Sequence, residues 1–171
     1  MSRRRLEARK MNKEIRCYDY VNQPYGRVRD VLCQDATAVF RTATKAAESR
    51  AQSVAAELRV DVGGITIGAD INIAVKNIEE KSAGPASGGS TCLQLEWQAA
   101  TMPGLFPLMK AQLFLYPLTA TETQLDFAGV YEPPLGALGG LLDAAGGHRI
   151  AEASVHRFVN SIAEHLRRTV R

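Results

Sequence analysis

Three histidines, His148, His156 and His165, lie near the end of the chain and are the first side chains to test for chemistry. Their separations of eight and nine residues miss the one-turn spacing that puts two imidazoles on one helical face around a metal. Glu152 and His156 are four apart and meet on a helix surface as a solvated pair. His148, beside Arg149 near a possible helix start, can instead face an interior space. Ser154 and Ser161 have no activating neighbours, and no nucleophile-elbow pentapeptide occurs. The three cysteines, Cys17, Cys33 and Cys92, are odd in number and widely spaced. That pattern fits neither a disulfide framework nor a zinc site, so buried free thiols are expected. The glycines at 63, 64 and 68 and at 136, 139 and 140 lack the phosphate-cradling lysine and the dinucleotide spacing, and read as turn and kink glycines. Asp61, Asp70, Glu96 and Asp126 fall on the polar phase of their segments, so paired carboxylates are not expected on an inner face. No metal and no cofactor follow from these residues.

What remains is apolar. Leu95 and Trp97, Leu113 and Leu115, and Leu125, Phe127 and Tyr131 share the inward phase of three successive segments. A buried indole N–H or phenol needs a partner, which a ligand can supply, although both rings can equally fill a core. Tyr116 has the opposite phase and is expected outside.

The elements that position these residues follow from periodicity. Residues 14 to 21 read as a strand. Asn22 offers a cap for a short helix over 24 to 33, and Asp35 one for a second helix carrying Phe40, Ala43, Ala47, Ala51 and Val54. The period then becomes two, in 58 to 62 and 65 to 75, with a glycine pair between. Glu79, Glu80 and Lys81 read as a solvated turn, and 82 to 90 as a loop. Strands follow over 92 to 99, 109 to 116 and 124 to 131, with Pro117 and residues 119 to 123 as the turn before the last. After Pro133 and Pro134 the helical period returns. Ala151, Val155, Phe158, Val159, Ile162 and Leu166 form one stripe. That helix can begin as early as Leu138, with Gly146 and Gly147 as a kink.

The chain has 171 residues and a net charge of +3, a single domain's worth of sequence. Residues 1–14 carry six basic and two acidic groups, and the rest fifteen basic and sixteen acidic. The basic excess is therefore a property of a tail, residues 1–13, ahead of one domain over 14–171. Met11 offers a second possible start that removes most of that excess. A near-neutral body lacks the basic stripe of a nucleic-acid surface. No apolar run reaches the ~18 residues of a membrane span, and no export signal is recognisable, so a cytoplasmic protein without integral membrane association is expected. Oligomeric state is left open.

The order of strand, two helices, several antiparallel strands and a long helix resembles the START-like, or SRPBCC, helix-grip superfamily. So does the stretch from Leu115 through Tyr116, Pro117 and Leu118, Thr123 to Leu125, and Gly129 to Gly136, followed by residues 148 to 153. The resemblance spans nearly all of residues 14 to 169 and is similar to uncharacterised bacterial members. It implies an α+β fold: a curved antiparallel sheet of about six or seven strands wrapped around the C-terminal helix, with a cavity between them. A small hydrophobic molecule of lipid, polyketide or isoprenoid type would then touch Leu95, Trp97, Leu113, Leu115, Leu125, Phe127 and Tyr131 from the sheet. His148, Val155 and Phe158 would touch it from the helix. Non-covalent binding or transport leads. A polyketide cyclase or aromatase is the alternative, weakened by the lack of an inward acid–base pair. A third reading is a non-catalytic interaction module with a filled core.

Overall fold

A computed structural model describes residues 12–57, 71–84, 88–99, 109–131 and 144–170. The elements in chain order are β1 (Lys13–Val21), α1 (Tyr25–Gln34), α2 (Ala36–Glu57), β2 (Ile71–Lys81), β3 (Ser90–Ala99), β4 (Met109–Thr119), β5 (Glu122–Tyr131) and α3 (Ala144–Thr169). The strands form one antiparallel sheet in the order β1-β5-β4-β3-β2. This is the expected α+β helix-grip arrangement: α3 lies along the inner face of a curved sheet, and α2 packs on α3. Five strands are described. The segments at 58–62 and 65–70, read above as strands, lie outside the described residues.

Alternation does what it must on a half-buried sheet. Leu93, Leu95 and Trp97 on β3, Leu113 and Leu115 on β4, and Leu125, Phe127 and Tyr131 on β5 all point inward and are buried. Lys110 and Gln112 are exposed on the other face, and Gln124, Asp126 and Tyr116 are half-buried there. From α3, Val155, Phe158, Ile162 and Leu166 close the core with no exposed surface. The alanines of α2 (Ala43, Ala47 and Ala51) are buried, and small side chains at this spacing let two helices approach closely. Phe158 is the hub. It stacks with Phe40 at 5.9 Å and meets Trp97 and Phe127 edge-on at 5.6 and 6.2 Å. Gly129 has to stay small, since a Cβ there would lie 2.8 Å from both Met109 Sδ and the Phe127 ring.

Several local expectations change. Glu79, Glu80 and Lys81 belong to β2 and do not form a turn. β2 is the last strand in the order, and its residues from Ala74 to Lys81 are exposed, with Val75 and Ile78 near 40%. A strand without a fully buried face does not have to alternate. Its register with β3 shifts between Val75 and Asn77, which marks a bulge. The turn before β5 is confined to 120–121, and β4 runs through Pro117, where the register slips by a residue. Proline is tolerated in a strand at such irregularities. Thr123, assigned above to the turn, is buried in β5. Pro24, not Asn22, occupies the cap position of α1, and no side chain caps it. α3 runs without a break through Gly146 and Gly147, and 138–143 lie outside the described residues. Cys17 is buried, but Cys33 and Cys92 are only half-buried. No described helix is long and apolar enough to cross a membrane.

Candidate functional site

Register collects one set of inward side chains at one end of the sheet. Trp97 pairs with Met109 and Ile73, and Met109 pairs with Tyr131, which in turn pairs with Lys13. The first turns of α3 lie over this row. Tyr131 Oη and His148 Nδ1 are 2.9 Å apart, and the two rings are nearly parallel, at 9°. The sequence marks Tyr131 as an inward phenol and His148 as able to face an interior space, and carries no sign that the two meet. They are 17 residues apart, one on a strand and the other on a helix.

Burial pushes the Tyr131 phenol above its ordinary value, and the nearby Glu152 carboxylate adds to the effect. The phenol therefore keeps its proton, and Oη is donor or acceptor to Nδ1 according to the tautomer of the ring. Tyr131 is 4% exposed, whereas His148 is half-buried. The pair spans the boundary between core and solvent. Trp97 lies beside it in the same row, 8% exposed and tilted against Phe127 at 6.0 Å. The outcome is a phenol–imidazole pair at the rim of an aromatic floor.

The remaining residues expected to touch a ligand lie deeper. Leu113, Leu115, Leu125, Phe127, Val155 and Phe158 have no exposed surface, and Leu95 has 3%. Toward the far end these side chains pack on one another and on Leu93, Ile162 and Leu166. That end is pinned by polar contacts. Thr123 Oγ1 donates to the Gln23 carbonyl at 2.8 Å, Gln23 Nε2 donates to the Val170 carbonyl at 3.2 Å, and Tyr25 Oη and Thr91 Oγ1 are 2.7 Å apart.

The alternation reading passed over one inward carboxylate. Asp19 shares the inner phase of β1 with Ile15, Cys17 and Val21, and it faces α3. It accepts from Arg167 at 2.7 Å and from Asn160 Nδ2 at 3.2 Å, and Arg167 also donates to the Tyr20 carbonyl. The signal was the strict period of two from residue 15 to residue 21, which places a charge inward and so demands a partner. The Asp19 cluster is a clasp between the first strand and the last helix, away from Tyr131. Other candidates resolve as structural. Ser154 donates to the Ile150 carbonyl at 2.6 Å, and Ser161 is buried within α3. Burial pushes the Cys17 thiol up to about 12, with smaller contributions from Asp126 and Asp19, so it is not a nucleophile at neutral pH. Among the described residues no group of three or more His, Cys, Asp or Glu side chains could hold a metal ion.

Concavities lined by described residues flank this core. A wide trough of about 680 Å³ lies on the outer face of the sheet, lined by Glu14, Arg16, Lys76, Glu96, Lys110 and Gln112 among others. Its charges answer one another, with Lys76 and Glu96 at 2.9 Å. A smaller cleft of about 260 Å³ lies between α2 and α3, lined by Arg50, Val54, Arg149, Glu152, Ala153 and His156.

The class defined by this geometry is an α+β helix-grip fold with a polar pair at one end of its aromatic core. No family model matches the chain, and no curated protein does. Among solved structures it is similar to the Zhui aromatase/cyclase from Streptomyces sp. R1128, with 15% identity, 94% of this chain and 97% of that one covered, and a TM-score of 0.48. It is also similar to a conserved protein from Geobacillus kaustophilus, with 12% identity, 94% and 98% covered, and a TM-score of 0.46. A third is the di-domain ARO/CYC BexL from the BE-7585A biosynthetic pathway, with 10% identity, 94% of this chain and 50% of that one covered, and a TM-score of 0.46. At such identities the likeness transfers no residue, ligand or reaction to this chain.

Proposed function

We propose that the protein binds a small hydrophobic molecule between the sheet and α3, at the end where Tyr131 meets His148. The observation that carries this reading is the phenol–imidazole pair at the rim of an otherwise apolar floor of Trp97, Met109, Phe127 and Phe158. Binding sites of this kind join a large apolar surface to a few placed polar groups. Burial of ligand surface supplies affinity at roughly 25 cal/mol per Å². The polar pair supplies orientation, because its hydrogen bond can be exchanged for one to a ligand oxygen.

The chain contains a single tryptophan, Trp97, so its emission reports on this site alone. Titration with naphthalene-2-methanol and with decan-1-ol is expected to shift or quench that emission, and native mass spectrometry of the purified protein is expected to retain a bound small molecule. No emission change with either alcohol, together with a bare protein mass, would sink the proposal.

The same hydrogen bond favours a second reading, an enzyme of cyclase type. When the ring carries its hydrogen on Nδ1, the phenol can pass its own proton to a reacting carbonyl oxygen and recover one from Nδ1–H, with Nε2 taking a proton from water. Turnover of a poly-β-keto substrate, abolished in both Tyr131→Phe and His148→Ala, would support it. Binding without turnover leaves the carrier.

A further inference from the structure

The basic excess of the chain lies in its first fourteen residues, and the register of β1 fixes where they join the fold. Lys13, the first residue of β1, pairs with Tyr131, the phenol that meets His148. The chain therefore enters the sheet at the rim of the aromatic floor, whereas the other end of β1, at Val21, belongs to the pinned end. Residues 1–14 carry Arg3, Arg4, Arg5, Arg9, Lys10 and Lys13 against Glu7 and Glu14, a net charge of +4. Residues 15–171 carry fifteen basic and sixteen acidic groups, a net charge of −1.

Position and charge bear on the same partner. Arg9 and Lys10 are four and three residues before Lys13, so on any path of the chain they stay within ~14 Å of it. The folded body at this rim carries both signs, with Lys110 and Arg149 exposed together with Glu14 and Glu152. The excess is therefore supplied by the segment ahead of β1. Each Lys or Arg close to an anionic bilayer raises affinity by roughly fivefold. A nucleic acid would instead need the charge to continue as a stripe over the body, and a body of net −1 does not supply one. Small hydrophobic molecules partition into bilayers, and the basic segment joins the fold at the end where such a molecule would meet Trp97 and Tyr131.

We infer that the protein docks on anionic lipid bilayers through residues 1–13, with the Tyr131–His148 rim turned toward the membrane. The choice of a lipid surface rests on the proposed hydrophobic site; the charge and its place in the fold do not. The contact is peripheral and electrostatic, so it weakens as salt rises.

The test uses the full chain and two kinds of vesicle, phosphatidylcholine alone and phosphatidylcholine mixed equally with phosphatidylglycerol. Co-sedimentation at low salt is expected to show about a hundredfold tighter binding to the anionic vesicles, lost at ~0.5 M salt. Energy transfer from Trp97, the single tryptophan, to a dansyl-headgroup lipid is expected in the bound state, because the rim lies against the bilayer. Arg3→Gln, Arg4→Gln and Arg5→Gln together are expected to remove most of the preference. Arg168→Gln, at an exposed arginine in the last turn of α3, is expected to keep it. Equal affinity for the two vesicles would overturn the inference, and so would a preference that survives the triple change or that Arg168→Gln removes equally. Binding without transfer from Trp97 would overturn it too, since the rim would then face away. Tighter binding to a DNA duplex than to the anionic vesicles at the same salt would hand the segment to nucleic acid. Vesicle binding with transfer sustains the inference even where neither naphthalene-2-methanol nor decan-1-ol binds, a result that sinks the hydrophobic site alone. The three changes lie ahead of β1, and unchanged circular dichroism checks that the fold is intact.

Discussion

The two ends of the sheet are built on different terms. At the end formed by Val21, Thr91, Leu115, Leu125 and Thr123, apolar side chains are fully buried, and each buried hydroxyl is matched to a partner from α1 or the segment before it. The chain's final turns are tied in as well, through Gln23 and the Val170 carbonyl. At the other end a row of Trp97, Met109 and Tyr131 meets the start of α3 through one hydrogen bond to a half-buried histidine. The first end is satisfied from within. At the second, the polar pair borders solvent and its bond can be exchanged. Such division of labour is ordinary for binding domains, where one region supplies stability and another stays adaptable.

Four measurements break or sharpen this contrast. The largest effect is expected from Phe127→Ala, which removes a ring with no exposed surface packed on Trp97 and Phe158. It should lower unfolding free energy by about 3–5 kcal/mol in urea titration. A loss below ~1 kcal/mol would mean that the deep core is not close-packed.

The second effect is alkaline. The Cys17 thiol is held near 12 in the fold and returns to about 9.0 on unfolding. Above pH 9 the unfolded chain loses a proton that the folded chain keeps. This contribution is therefore complete below pH 9 and is lost as pH rises toward 12, with a slope approaching about 1.4 kcal/mol per pH unit. Cys17→Ala should flatten that limb of the stability curve relative to the parent. Identical slopes would show that the thiol is more accessible than its 5% exposure indicates.

The third and fourth measurements form a pair. Thr123→Val at the pinned end leaves the Gln23 carbonyl without its donor and should cost about 1–2 kcal/mol. Tyr131→Phe at the rim should cost less, under about 1 kcal/mol, because His148 can turn to water. The same change should alter the Trp97 emission response to naphthalene-2-methanol. If Tyr131→Phe destabilises more than Thr123→Val, the rim is structural and the contrast fails.

Much of the fold was legible because period two and period 3.6 are each dictated by burial on one side. The phases of Leu93 to Trp97, Met109 to Leu115 and Leu125 to Tyr131 follow from alternation alone, and so does the stripe of α3. Legibility failed where burial did not impose a pattern. The charges at Glu79 to Lys81 resemble a turn because β2 carries exposed residues on both faces there. Of the candidate site, the sequence marked Trp97, Tyr131 and His148 as separate possibilities. Their convergence depends on how far along the sheet α3 is docked, which is a packing outcome with no local signature. Arg50 and Arg149 illustrate the same limit. On their own helices they are ordinary exposed cations, and only the pairing of α2 with α3 brings them into one cleft.

The clasp at Asp19 has a consequence for the order in which the chain can be finished. Asp19 and Arg167 are 148 residues apart, and β1 takes its only described strand neighbour from β5. Among the described strands, β1 thus has no partner until β5 is made, and its clasp to α3 waits for nearly the last residues. Closure by such distant contacts is slow and comes late. Loss of the final turns of the last helix would therefore undo the clasp at Asp19 and leave β1 held by its ladder to β5 alone.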